Sequence, residues 1–212
     1  MNLPNKLTVF RIILVPIMVL IPYLGIDGKI FGIPMTLLLV DLIFIIASIT
    51  DKLDGTIARK KNLVTDFGKF LDPIADKILV IAALIMLVDL NKIPSWIPII
   101  VIFREFLVSG FRLVAVSKGG KVIAASIWGK IKTVTQMIAI ILVFIDKFNF
   151  ADFIWRVASK EEAITSSIGI YMTMPEYCLN ILVSMLMIVS VLATIISGID
   201  YLKGGKEYLK DK

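Results

Sequence analysis

Residues 51–76 read DKLDGTIARKKNLVTDFGKFLDPIAD and set four aspartates, Asp51, Asp54, Asp72 and Asp76, together with Arg59, at the edge of otherwise oily segments. Carboxylates in or beside a bilayer are costly and call for a partner such as a metal, a base or an ion pathway. At about 100° per helical residue, Asp51 and Asp54 (i, i+3) share a face, as do Asp72 and Asp76 (i, i+4). Two adjacent helices would then aim four carboxylates into one gap. Unneutralised, the four repel one another and some protonate. Hard divalent cations remove that conflict. Mg²⁺ and Mn²⁺ prefer oxygen ligands, and a chain with no histidine and a single cysteine offers little to zinc. Mg²⁺ also keeps open positions for substrate phosphates, so metal-assisted phosphoryl chemistry follows. Gly55, Ala58 and Gly68 are small enough to let backbone approach a bulky ligand, and Arg59 offers a forked donor to phosphate.

The flanking sequence is that of a membrane protein. The 212 residues are 58% hydrophobic, with a mean hydropathy of +0.92, far above an ordinary soluble domain. Six apolar stretches, 8–25, 33–53, 70–90, 94–117, 127–146 and 176–201, approach the roughly 20 residues that span hydrocarbon. Arg11, Asp41, Arg104, Glu105 and Arg112 lie inside them, which implies helices packed around a polar interior. The expected fold is therefore all-α: a single polytopic domain over residues 1–212, with six transmembrane helices around a polar, metal-binding cavity. Residues 146–175 form a longer connection, in which FADFIWRVASKEE (150–162) has the composition of an interfacial helix.

Lysine and arginine set the orientation. With six spans, both termini share a side with the segments near 51–69 and 112–132, and these hold most of the 23 basic residues. The opposite connections carry Lys29, Lys92, Lys147, Arg156 and Lys160, so both termini and the aspartates face the cytoplasm and 146–175 is extracytoplasmic. The net charge of +6 fits this topology and attraction to anionic lipid rather than to nucleic acid. The first apolar run continues too far for a cleaved leader and reads as a mature helix. Asn5 is placed as its N-cap, with Thr8 and Arg11 on its wet interfacial side. Pro73 falls within a helix that begins near Asp66, or in the first turn of one that begins at Asp72. Cys178, the single cysteine, excludes an intrachain disulfide and reads as a packing residue.

Further cations suggest what the site accepts. Arg104 and Arg112 are eight residues apart, about 80° around and 12 Å along a helix, so both can face a broad cavity at different depths. Lys130 follows across a turn; Lys132, about 200° away from it, is the alternate, since one of the two faces the site. Cations beside a metal cluster suit an acceptor that itself carries phosphate. The competing assignment pairs Arg104 with Glu105 and lets Arg112 snorkel.

The spacing D-x2-D-G-x2-A-R-x8-G-x3-D-x3-D, complete here as Asp51, Asp54, Gly55, Ala58, Arg59, Gly68, Asp72 and Asp76, resembles the signature of the CDP-alcohol phosphotransferase family. Arg104 to Arg112 (REFLVSGFR) and Gly129 to Thr133 (GKIKT) are similar to the branch that uses glycerol 3-phosphate, as is the N-terminal stretch where Asn5 and Thr8 border the active site. The resemblance implies a homodimeric plasma-membrane enzyme that transfers the phosphatidyl group of CDP-diacylglycerol to sn-glycerol 3-phosphate, giving phosphatidylglycerol phosphate and CMP. It implies two Mg²⁺ or Mn²⁺ ions held by Asp51, Asp54, Asp72 and Asp76, with Asp76 also the general base. Gly55, Ala58, Arg59 and Gly68 would line the CDP site, and Arg104, Arg112 and Lys130 would bind the acceptor phosphate. Family members acting on serine, inositol phosphate or phosphatidylglycerol are alternatives. A divalent cation transporter is the alternative from another class, although it does not require the Gly-x2-Ala-Arg segment.

Overall fold

The computed structural model describes residues 2–60, 66–117, 127–165 and 169–204. Six long helices carry the chain: α1 Leu3–Leu20, α2 Met35–Lys60, α3 Asp66–Asp89, α4 Trp96–Ser117, α5 Ile127–Ile145 and, after a short α6 Lys160–Thr165, α7 Met174–Gly204. Among the described residues three segments, Asn5–Leu24, Ile127–Ile145 and Met174–Gly204, are long and apolar enough to cross a membrane. The other three long helices, α2, α3 and α4, carry more charge within them, including Asp41 and Asp51 in α2 and Arg104, Glu105 and Arg112 in α4.

The helices pack by their apolar faces. Helix α5 lies mainly along α7, α1 lies against α2 and α3, and α4 leans on α7 more than on α3. Met18, Phe44, Leu84, Leu87, Ile97, Ile140, Phe144 and Met187 form a continuous core. Large apolar residues also face outward, Ile99, Phe103, Phe106 and Leu113 on α4 among them, as expected where the surrounding solvent is hydrocarbon.

Local chemistry sets the boundaries. Helix α1 passes through Pro16 into a 3₁₀ turn, Ile21–Leu24, that ends at Gly25 with φ 62°, a left-handed conformation in which glycine carries no Cβ penalty. A two-residue hairpin, β1 Lys29–Ile30 against β2 Ile33–Pro34, turns the chain into α2. Helix α3 begins at Asp66, so Pro73 falls within it and not at its first turn. Helix α1 begins at Leu3 with Asn2 as its N-cap residue, so Asn5 lies inside the helix and does not cap it. Cys178 is exposed and does not pack in the core.

Residues 150–162 do not form one interfacial helix. They break into a 3₁₀ turn, Asp152–Trp155, then β3 Arg156–Val157, which pairs in parallel with β4 Ile170–Tyr171, and then α6. Local caps explain the breaks. Asp152 accepts the Asn149 N–H at 2.8 Å, and Ser159 and Glu162 exchange hydrogen bonds as a capping box that starts α6. At the start of α7, Thr173 donates both its N–H and its hydroxyl to the Glu176 carboxylate.

A buried polar clasp fastens this connection to the bundle. Lys92 Nζ donates to the carbonyls of Asp146 (2.7 Å) and Phe148 (3.3 Å). Asn180 Nδ2 donates to Asp146 Oδ2 at 2.7 Å and to the Asn149 carbonyl at 2.9 Å, while its Oδ1 accepts the Phe153 N–H at 2.8 Å. Ser184 accepts the Ala151 N–H at 3.0 Å, and Phe150 stacks edge-on against Trp96. Burial pushes the Asp146 carboxyl up and the Lys92 ammonium down, and the hydrogen bonds oppose part of that cost. Asn180→Ala strands a carboxylate oxygen, an amide N–H and a carbonyl at once. It is expected to lower stability by about 2–4 kcal/mol, read as a lower unfolding midpoint in detergent with turnover preserved, because the clasp lies at the end of the bundle away from Asp76.

Candidate active site

The reactive end is built first from α1. Asn5, Thr8 and Arg11 recur every three residues, which places them on one stripe of the helix, and all three are buried, Thr8 and Arg11 completely. The stripe faces the acidic end of α2, where Arg11 Nη1 lies 2.6 Å from Asp51 Oδ1. Thr8 and Arg11 are therefore not on a wet interfacial side: a guanidinium with a carboxylate to meet inside the bundle gains more there than by snorkelling.

Helices α3, α4 and α5 supply the second part. Asp76 and Lys77 on α3, Glu105 on α4 and Lys132 on α5 border one small cavity of about 20 Å³. Glu105 Oε1 accepts from Lys132 Nζ at 2.7 Å and from Arg104 Nη1 at 2.9 Å. Arg104 Nε also donates to Ser197 Oγ on α7 at 3.1 Å. Ser109 donates to the Glu105 carbonyl at 2.6 Å and accepts from Lys77 Nζ. Asp76 sits within electrostatic reach of Asp51, Arg11, Lys132 and Glu105, which joins the two parts into one site. Behind Arg104, an apolar groove of about 370 Å³ opens between α4 and α7, walled by Ile99, Phe103, Gly198 and Ile199.

Of the residues expected from sequence, Asp51 and Asp76 come together, with Asn5 and Thr8 on the adjoining buried stripe, and Arg104 joins them through Glu105. Asp54, Gly55, Ala58 and Arg59 belong to α2, and Gly68 and Asp72 to α3; their surroundings lie outside the described residues. Arg112 and Lys130 are exposed. Lys132 is the lysine of its pair that turns inward, with its side chain only 10% exposed. Arg104 does pair with Glu105, the competing assignment from sequence. Lys77, Ser109 and Ser197 were not singled out. Lys77 directly follows Asp76 and Ser109 lies one turn beyond Glu105, but the contact between them is long-range.

Among the described residues no three carboxylates gather at one point. What is described nevertheless fits a hard cation: Asp51 and Asp76 are like charges in reach of one another, oxygen is the donor type, and the chain holds no histidine. Asp51, Asp54, Asp72 and Asp76 are the residues that would hold it.

Comparison with known proteins shows the family. The family model for CDP-alcohol phosphatidyltransferase matches residues 1–196. The chain is 49% identical over 154 residues to a CDP-diacylglycerol–glycerol-3-phosphate 3-phosphatidyltransferase of Bacillus subtilis, covering 70% of this chain and 79% of that protein. It is 36% identical over 211 residues to the protein of the same name from Rickettsia felis, covering 98% and 97%. With the Haemophilus influenzae protein of that name it shares 44% over 143 residues, 66% and 73% of the two chains. A match over nearly the whole chain, with the motif complete and two of its aspartates converging beside buried cations, makes this chain a member of the CDP-alcohol phosphatidyltransferase family and a transferase of phospholipid biosynthesis.

Proposed function

We propose that this enzyme transfers the phosphatidyl group of CDP-diacylglycerol to sn-glycerol 3-phosphate, releasing CMP and forming phosphatidylglycerol phosphate. The observation that carries the acceptor assignment is buried Lys132 beside Asp76, with Arg104 sharing its Glu105 partner, because a neutral alcohol gives no reason to keep such charge away from water. The near full-length relatives named for glycerol 3-phosphate support the same choice over serine, inositol phosphate or phosphatidylglycerol. They also weigh against a cation transporter.

The chain works as one membrane domain, residues 1–212, with α1 to α5 and α7 as six spans. Both termini and the site face the cytoplasm, 146–175 lies outside, and two chains pair as a homodimer in the plasma membrane. The family is in general dependent on divalent metal; here two Mg²⁺ or Mn²⁺ ions fit the four motif aspartates. When bound, such ions supply neutralisation of the donor pyrophosphate. The chain's own residues do the rest. Arg59, with the backbone at Gly55, Ala58 and Gly68, holds the CDP group. Arg112 and Lys130 at the exposed mouth attract the acceptor phosphate, and Arg104 and Lys132 hold it deeper. Asp76 takes the proton of the attacking hydroxyl as its oxygen bonds to the phosphatidyl phosphorus, and the bond from that phosphorus to the CMP oxygen breaks with its electron pair. Buried Arg11 holds Asp51 in place.

Asp76→Asn, nearly isosteric, is expected to abolish most CMP release at saturating Mg²⁺ while the protein still inserts and purifies; near-normal turnover would refute the base assignment. Chelation should stop the wild type, and Mg²⁺ or Mn²⁺ should restore it.

Wild type is expected to use glycerol 3-phosphate far better than glycerol, serine or inositol, as read by thin-layer analysis of the lipid product. Lys132→Met should cost about 2 kcal/mol, roughly thirtyfold, in the acceptor specificity constant. Arg112→Ala should cost less, because an exposed charge is screened. Equal use of glycerol, or defects confined to donor binding, would refute the phosphate pocket.

A further inference from the structure

Glu105 has no place among the motif residues, yet it is the hub of the buried charges. One oxygen, Oε1, takes both Lys132 at 2.7 Å and Arg104 at 2.9 Å. All three side chains are largely withdrawn from solvent, at 12%, 10% and 15% exposure. The backbone beneath Glu105 is tied by Ser109, and Arg104 is tied a second time to Ser197, so α4, α5 and α7 meet at this carboxylate. Lys132 and Asp76 border the same small cavity.

A buried ammonium that loses its partner finds another anion or is strongly destabilised. For Lys132 the anion across the cavity is Asp76, and an ion pair between them would consume the carboxylate that the reaction needs. We propose that Glu105 is a positioning residue that holds Lys132 off Asp76 and, together with Arg104, presents both cations to the anionic group of the acceptor. This rests on the assignment of glycerol 3-phosphate as acceptor. Lys77 and Lys132 border the cavity with Asp76 and Glu105, and Arg104 reaches the same Glu105 oxygen from the α7 side. An ammonium has three donors and Glu105 takes one of them, so clamping Lys132 does not spend it.

Glu105→Gln keeps the size and an acceptor oxygen and removes the charge. Its KM for glycerol 3-phosphate is expected to rise about tenfold with the KM for CDP-diacylglycerol unchanged. Mn²⁺ binding to the substrate-free enzyme in detergent, followed by electron paramagnetic resonance, should weaken as Lys132 turns to Asp76. Adding Lys132→Met to Glu105→Gln should restore Mn²⁺ binding while leaving acceptor use poor, a reversal that a scaffold role for Glu105 does not produce. The proposal is overturned if folded Glu105→Gln keeps both the acceptor KM and the Mn²⁺ affinity of wild type, or if Lys132→Met fails to reverse the Mn²⁺ defect. Should Glu105→Gln not insert, Lys132→Met alone decides: a raised acceptor KM with unchanged Mn²⁺ affinity supports the proposal, and an unchanged KM overturns it. If wild type accepts glycerol as readily as glycerol 3-phosphate, the acceptor assignment fails, while the Mn²⁺ pattern still reports whether Glu105 separates Lys132 from Asp76.

Discussion

A guanidinium shut completely inside an apolar bundle must meet an anion, and Arg11 meets Asp51. That pair locks the first helix to the acidic end of the second, and it decides which face of α1 turns inward, bringing Asn5 and Thr8 with it. The remaining buried charges obey the same constraint. Glu105 is shared by Arg104 and Lys132, and the cavity that Glu105 and Lys132 border admits Asp76. Helices that could slide past one another on apolar contacts alone are thereby held in one register.

The two ends of the bundle use buried polar groups for opposite purposes. Around Asn180 each described partner is a backbone group or a carboxylate already accepting hydrogen bonds, and the result is a fastener for the connection after α5. Around Asp76 the described groups are mostly charged, Lys77, Lys132 and Arg11 with Asp51, Glu105 and Asp76 itself, and several of them border a cavity. A network closed on itself rigidifies, whereas charged groups left facing a cavity are where ligands bind. The apolar groove behind Arg104 brings hydrocarbon close to that charge, as chemistry on a lipid headgroup demands.

Several features were legible because their causes are local. The helix bounds follow apolar runs and their interruptions, and the observed α5, Ile127–Ile145, differs from the expected 127–146 by a single residue. The capping box at Ser159 follows from the local pattern Ser-x2-Glu and helps explain why 150–162 is not one interfacial helix. The role of Lys77, by contrast, is not local: it depends on Ser109, 32 residues away, coming beside it.

The sequence by itself determined the helical membrane class, the eight-position motif and its chemistry, because helical periodicity and residue type are properties of short stretches of chain. Tertiary structure alone decided that Lys132 and not Lys130 turns inward, that Thr8 and Arg11 leave the interface for the interior, and that Glu105 joins two cations from different helices. Those outcomes depend on how each helix is rotated about its axis against its neighbours. That rotation is set by summed packing across α1 to α5 and α7 and by which buried charges can find a partner, and no single stretch of sequence contains it.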